Sequence, residues 1–249
     1  ILKEKKTKII VKIKKLYLNK KDYVNNLSGD IIFRKGEIFD LDLLSYFPNK
    51  EALIFNIKLN SAGNKVTTLT TNFPKPLISR YEFIQGFEEG VLDLQTISQN
   101  DISKSTLVID NFKVKKIPVL AKILTLASLQ GIADLLTGEG IRFTDFEMKS
   151  SKVNNLTTIE EIYAIGPAIS LMMDGYIKKN EVVSLRGTLV PATTINRTIS
   201  SIPLIGDILV GKKVGEGVFG VSFKIKGHPD NLKTTVNPIK TLTPRFITR

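Results

Sequence analysis

The residue types that most often carry chemistry are scarce in this chain of 249 residues. It has no cysteine, which excludes thiol catalysis, thiolate metal sites and disulfides together. The single histidine, His228, stands in the turn sequence Gly227-His228-Pro229-Asp230, and we interpret it as a loop residue. The carboxylate pairs Glu88-Glu89 and Glu160-Glu161 are adjacent in sequence, so on strands their side chains would point to opposite faces. General acid–base catalysis is therefore unsupported.

The segment Gly215-Glu216-Gly217-Val218-Phe219-Gly220 has the G-x-G-x-x-G spacing of dinucleotide-binding and kinase glycine-rich loops. A dinucleotide site needs a helix directly after the glycines, whereas residues 221–226 alternate like a strand. A kinase also needs a catalytic loop downstream, and the chain contains no His-Arg-Asp. Because G-x-S-x-G is absent as well, we predict a non-enzymatic protein with no catalytic residue, metal site or cofactor.

Composition describes an ordered and strongly basic protein. Hydrophobic residues make up 42% and charged residues 24% of the chain, which is typical of a folded domain. The net charge of +12 favours anionic partners, either nucleic acid or anionic lipid head groups. Lysines and arginines are scattered along the chain, tryptophan is absent, and no RNP-like or zinc-finger pattern occurs. Nucleic-acid binding is therefore ranked third, after the two functions given below, and we predict no nucleic-acid partner.

Alternation of apolar and polar residues dominates the sequence and predicts a mainly β protein. Residues 106–114, 169–177 and 218–226 alternate with a period of two, and Asn, Gly, Lys and Asp separate such segments. Two pairs of segments predict hairpins, one across Lys35-Gly36 and one across Lys178-Lys179-Asn180. We expect about a dozen strands in one long, curled antiparallel sheet that forms an open apolar trough.

Three segments depart from the alternation and predict short helices at about 74–81, 118–136 and 192–209. The second of these is apolar on most faces, with Gly131 as the expected hinge and Gly138 as the expected stop. Its apolar run is interrupted by Lys122, Gln130 and Asp134, so a buried or membrane-interface helix is expected rather than a membrane span.

Six segments after Pro118 occur in a fixed order, namely Leu124–Gly131, Leu135–Ile141, Leu185–Ala192, Ile202–Leu209, Gly215–Phe219 and Val236–Pro238. Together they resemble the AsmA-like C-terminal region of YhdP- and TamB-type envelope proteins. The resemblance covers just over half of the chain, while residues 1–116 match only in their strand-and-turn style. We therefore expect a β-rich meander at 1–116, part of a longer sheet continuing upstream, and an AsmA-like region at 117–249.

The resemblance implies non-enzymatic phospholipid transport between the inner and outer membranes along an apolar β-groove. It also implies a periplasmic location, with an inner-membrane anchor upstream of this sequence, outer-membrane contact at the C-terminal end and partners among envelope proteins. The chain begins Ile1-Leu2-Lys3 without an initiator Met or a signal peptide, so we expect a fragment of a longer protein. The alternative function is a structural or assembly factor for outer-membrane proteins that carries no lipid.

Two sets of residues are candidates for the lipid path. The strand Val218–Lys226 places four apolar side chains on one face, where a trough would leave them accessible and a sandwich would bury them. The helical segment at 118–136 would cap the trough, with core packing as the alternative. The groove candidates are Phe219, Val221, Phe223 and Ile225, and the helix gate candidates are Leu120, Ile123, Leu126, Leu129, Ile132 and Leu136.

Overall fold

The computed structural model describes residues 6–81, 84–191 and 220–239. These residues form thirteen strands and three helices. In chain order the elements are β1 Lys6–Tyr17, β2 Tyr23–Arg34, β3 Glu37–Tyr46, β4 Ala52–Leu59, β5 Lys65–Thr71, α1 Lys75–Ile78, β6 Gln85–Gln99, β7 Ile102–Lys115, α2 Pro118–Leu126, α3 Gln130–Thr137, β8 Ile141–Val153, β9 Leu156–Ile165, β10 Ile169–Lys178, β11 Val182–Pro191, β12 Gly220–His228 and β13 Asn231–Ile239.

The thirteen strands form a single meander in which each strand pairs antiparallel with the next. The sheet is not closed, and β1 and β13 are its two edges. The predicted mainly β, antiparallel architecture is therefore confirmed. Both predicted hairpins are present, as β2–β3 and β10–β11. In the first, Lys35 and Gly36 have φ values of 52° and 83°. Two successive positive φ values are typical of the two-residue turns that connect hairpin strands.

The two ends of the sheet differ in their connections. Odd-numbered strands finish at one end, which we call the helix end because α1 follows β5 and both α2 and α3 follow β7. Even-numbered strands finish at the opposite end, which we call the turn end. Its connections are tight, with residues such as Asn100, Asn154 and Asn180 in the left-handed conformation.

The helices lie close to the predicted places, with one difference inside the second segment. Helix α1 falls within the predicted 74–81. The segment 118–136 forms α2 and α3, separated at 127–129, where Ser128 has a φ of 59°. The hinge predicted at Gly131 is wrong, because Gly131 lies within α3. Gly138 caps α3 as expected. The helix predicted at 192–209 lies outside the described residues.

The helix pair packs into the larger of two hydrophobic clusters. Helix α2 contacts β13, α3 contacts β7, and the two helices contact each other. The rings of Phe87, Phe112 and Phe143 stack in succession across β6, β7 and β8, with centroids 5.3 and 5.5 Å apart. Because β7 pairs with β8, the sheet continues without interruption across residue 116. The division into two regions at that point stays a prediction.

Candidate functional site

One face of the sheet carries an unbroken row of apolar residues that crosses all thirteen strands. Residues paired across neighbouring strands project from the same face of a sheet, so the register defines the row. Eleven of its members have apolar side chains and two are glycines. This central row consists of Val11, Gly29, Leu43, Phe55, Leu69, Leu94, Leu107, Met148, Ile162, Met173, Gly187, Phe223 and Val236.

The face that bears the central row is called the apolar face, and the reverse of the sheet is polar. Asp42, Asn56 and Thr68 each lie one residue from the central row on β3, β4 and β5, are in register with one another and project from the polar face. On this polar face, ion pairs join neighbouring strands, including Lys58–Asp42 at 2.9 Å and Arg186–Asp174 at 3.0 Å. The sheet is therefore amphipathic over its whole width.

A hydrogen-bonded group of three side chains on the polar face includes Tyr163 and Glu147, whose pKa values are shifted. The Tyr163 hydroxyl donates to Glu147 at 2.7 Å, and Lys149 lies 2.6 Å from the same carboxylate. Burial, followed by the hydrogen bond to Glu147, raises the pKa of Tyr163 to about 12. The hydrogen bonds from Lys149 and then Tyr163 lower the pKa of Glu147. These side chains are arranged as a cross-strand network that supports the sheet.

The groove candidates on β12 are buried rather than accessible. Val221, Phe223 and Ile225 are 0%, 3% and 5% exposed, and they belong to the same hydrophobic cluster as the buried residues of α2. Phe223 lies across Gly187, where an added Cβ would come 2.5 Å from the ring. The predicted shared face of these three residues is therefore present, and core packing accounts for it. Phe219 lies outside the described residues.

The helix gate candidates divide by exposure. Leu120, Ile123 and Leu136 are buried in the cluster, and Leu129 and Ile132 pack against it while partly exposed. Leu126, at the end of α2, is 50% exposed. The inward side of the helix pair is thus part of the core, and its exposed apolar surface begins at Leu126.

The accessible part of the apolar face runs from β2 to β7, and it includes Leu94 and Leu107, which are partly buried like the residues of β2 to β5. Ile31, Leu43, Phe55 and Leu69 all point from this face and are only partly buried. Sequence reasoning singled out β12 alone and missed these strands. A sequence signal was present on β4, where residues 53–59 alternate apart from Ile54, but not on β5, where four of the residues 65–71 are threonines.

The histidine and the paired glutamates considered in the sequence do not form a shared site. His228 Nε2 lies 3.2 Å from the carbonyl oxygen of Asn180, so the ring links two turns at the turn end. Glu88 and Glu89 contact different cations, Lys115 and Arg142. Among the described residues, no group of His, Asp or Glu side chains could hold a metal ion. No helix in the described ranges is long and apolar enough to cross a membrane.

Comparisons with known proteins add no relative to this picture. No protein-family profile, no curated protein and no solved structure matches the chain. The amphipathic sheet is therefore the main structural feature that bears on function.

Proposed function

We propose that this chain binds the acyl chains of phospholipid on its apolar face and carries the lipid between the inner and outer membranes without catalysis. The central row supports the proposal most directly. It crosses thirteen strands with eleven apolar side chains and two glycines, and it spans about 58 Å at the usual strand spacing of about 4.8 Å. An acyl chain exposed to water costs about 0.8 kcal/mol per methylene, and contact with such a row removes much of that cost.

The packing of the helix pair supports a curled sheet. Six strand spacings separate β7 from β13, which would place them about 29 Å apart in a flat sheet. Adjacent helices pack with their axes about 8–10 Å apart. Since α2 contacts β13 and α3 contacts β7, a sheet that curves around the pair fits these contacts better than a flat one. The same curvature continued over β2 to β5 would form an open trough lined by the accessible apolar residues.

The location follows from the transport proposal together with the resemblance. The protein would act in the periplasm, attached to the inner membrane through a segment upstream of this sequence. Its C-terminal end would face the outer membrane, where envelope proteins are the expected partners. The net charge of +12 favours anionic phospholipid surfaces at either end of the path.

Lipid analysis of the purified protein tests the proposal. Denaturing extraction followed by mass spectrometry should recover phospholipid in at least a 1:1 ratio to protein. Delipidated protein should then accelerate transfer of a labelled phospholipid from donor to acceptor vesicles. Phospholipid at background level, together with no acceleration of transfer, would refute the proposal.

An assembly role without lipid transport is the second candidate, and the β1 edge favours it. Strand β1 has twelve residues, all exposed except the half-buried Val11, and among the described residues it pairs with β2 alone. A long exposed edge can pair with a strand of another protein. Cross-linking from β1 to an envelope protein, in a preparation that contains no phospholipid, would favour this role over transport.

A further inference from the structure

Polarity changes abruptly along the strands of the apolar face near the turn end. On β5 to β8, the row next to the central row is made of hydroxyl-bearing residues, namely Thr67, Thr96, Ser105 and Ser150. The following row, one step nearer the turn end, contains two lysines and three hydroxyls, namely Lys65, Ser98, Ser103, Lys152 and Thr157. We call these two rows the polar patch.

The polar patch is a local feature and not the general character of the turn end. On β4, the residues in register with Lys65 and Thr67 are Leu59 and Ile57. On the other side, Thr157 is in register with Ile177 of β10, which pairs with Val183 of β11. The strands on both sides of the patch therefore carry apolar residues at the positions in register with it. Proximity to the turns does not explain the change, because the neighbouring strands have turns there too.

The hydroxyls of the patch are held in place by one another. Thr96 Oγ1 and Ser105 Oγ lie 2.8 Å apart, and Ser98 Oγ and Ser103 Oγ lie 2.9 Å apart. Each such pair uses one donor, which leaves the second hydroxyl hydrogen and further lone pairs available for a ligand. The patch therefore presents oriented donors on the same face as the apolar row.

The two lysines give the patch a positive charge. Lys65 Nζ lies 3.8 Å from Glu37 Oε2, but the Glu37 side chain is 83% exposed, so solvent weakens this pair. Lys152 is exposed, and it is in register with Ser103 and Thr157. Lys65 and Lys152 flank the hydroxyls of this row on β5 and β8, three strand spacings or about 14 Å apart at the usual spacing of about 4.8 Å. An anion placed over the hydroxyls therefore lies between two flexible lysine side chains that can approach it from opposite sides.

We infer that the polar patch binds the phosphate of a phospholipid head group while the acyl chains lie along the adjacent central row. The inference rests on the proposed function and adds the position and orientation of the bound lipid. Along each strand the polar patch is followed directly by the central row, so a phosphate bound at the patch lies beside the place where the acyl chains begin. Hydroxyls and ammonium groups face the phosphate, and Leu69, Leu94 and Leu107 face the chains.

Two lipids that share acyl chains but differ in the phosphate provide the test. Delipidated protein is mixed with equal amounts of dioleoylphosphatidylglycerol and dioleoylglycerol, and the bound ratio is read by native mass spectrometry. Each partly exposed lysine should contribute about a threefold preference for the phospholipid, which gives about tenfold for both. The double variant Lys65→Gln with Lys152→Gln should lower the ratio about tenfold, which leaves the preference that the hydroxyls supply.

The matched control is Lys104→Gln with Lys226→Gln, which removes two exposed lysines from the polar face and should leave the ratio unchanged. Thr96→Val with Ser105→Ala removes hydroxyls without changing charge, and should lower the ratio about threefold. An equal ratio for the wild-type protein, or an unchanged ratio in the patch variants, would overturn the inference while leaving acyl binding intact. If neither lipid binds, the proposed function fails as well.

Discussion

The accessible part of the apolar face is tested most sharply by two neighbouring residues of β4. Phe55 lies in the central row, while Ile54 projects from the polar face and is 38% exposed. Phe55→Lys should impair lipid transfer, and Ile54→Lys is its matched control. Both replace an apolar residue of one strand by the same cation, and they differ only in the face on which the cation lies.

The expected magnitudes follow from the partial burial of Phe55. Full burial of a Phe side chain is worth about 1.5–3 kcal/mol, so losing a partly buried ring costs about 1 kcal/mol because the lysine stem keeps some of its contacts. In a domain of this size that lowers the Tm by about 2–4 °C. If the ammonium keeps two methylenes of a lipid in water, transfer slows by about 1.6 kcal/mol, or about 15-fold.

The assay compares Tm and vesicle-to-vesicle transfer for the wild-type protein and both variants. Ile54→Lys should change the Tm by a similar amount and leave transfer within about twofold of the wild type. Equal inhibition by the two variants would show that added charge, and not its face, determines the effect. Normal transfer by folded Phe55→Lys would refute acyl binding at β4.

Three further perturbations separate core from surface. Phe223→Lys buries a charge without a partner at a site that is 3% exposed, so it should cost several kcal/mol and abolish cooperative unfolding in a Tm scan, while Lys224→Ser on the exposed side should shift stability by less than about 0.5 kcal/mol. Burial, followed by two neighbouring carboxylates, raises the pKa of Asp110, so its neutral form stabilises the fold at low pH and this stability is lost as pH rises from the ordinary pKa of a carboxyl through the raised value. Asp110→Asn should therefore increase the stability of the protein to urea at pH 7 and leave it unchanged at pH 3. Leu126→Asp, at a position 50% exposed, should lower the free energy of unfolding by about 1 kcal/mol or less and still slow vesicle transfer if α2 contacts a membrane. Leu124→Asp, at a position 0% exposed, should unfold the chain. Unchanged transfer by folded Leu126→Asp would show that this end of α2 has no role as a gate.

The sequence was sufficient for local structure because strands and turns leave short-range signals. Alternation with a period of two identified β7, β10 and β12, and Lys35-Gly36 identified a turn with two positive φ values. Pro118 and Gly138 bounded the helical segment, since proline is accepted in a first helical turn and glycine commonly ends a helix. The break at Ser128 was missed because a serine in the left-handed conformation has no distinctive sequence signal.

Only the tertiary structure decided which parts of the apolar face are covered. Phe223 and Phe55 both lie in the central row and both follow an alternating pattern, yet the first is buried in the cluster shared with α2 and the second is partly exposed. The pattern of one strand reports which side chains share a face. Coverage of that face depends on where α2 and α3, inserted between β7 and β8, fold back, and that is set by long-range packing.

The polar patch also depends on the tertiary structure, because strand register brings its residues together. Lys65, Ser98, Ser103 and Lys152 come from four strands, and although Ser98 and Ser103 flank one turn, both lysines are far from them in sequence, so no local window contains the patch. By itself the sequence determined an amphipathic antiparallel sheet with helical insertions, because period and turn chemistry are local properties. The structure determined the continuous central row, its covered and open parts and the position of the patch, because a shift of one residue in any pairing would move that strand's side chains to the other face.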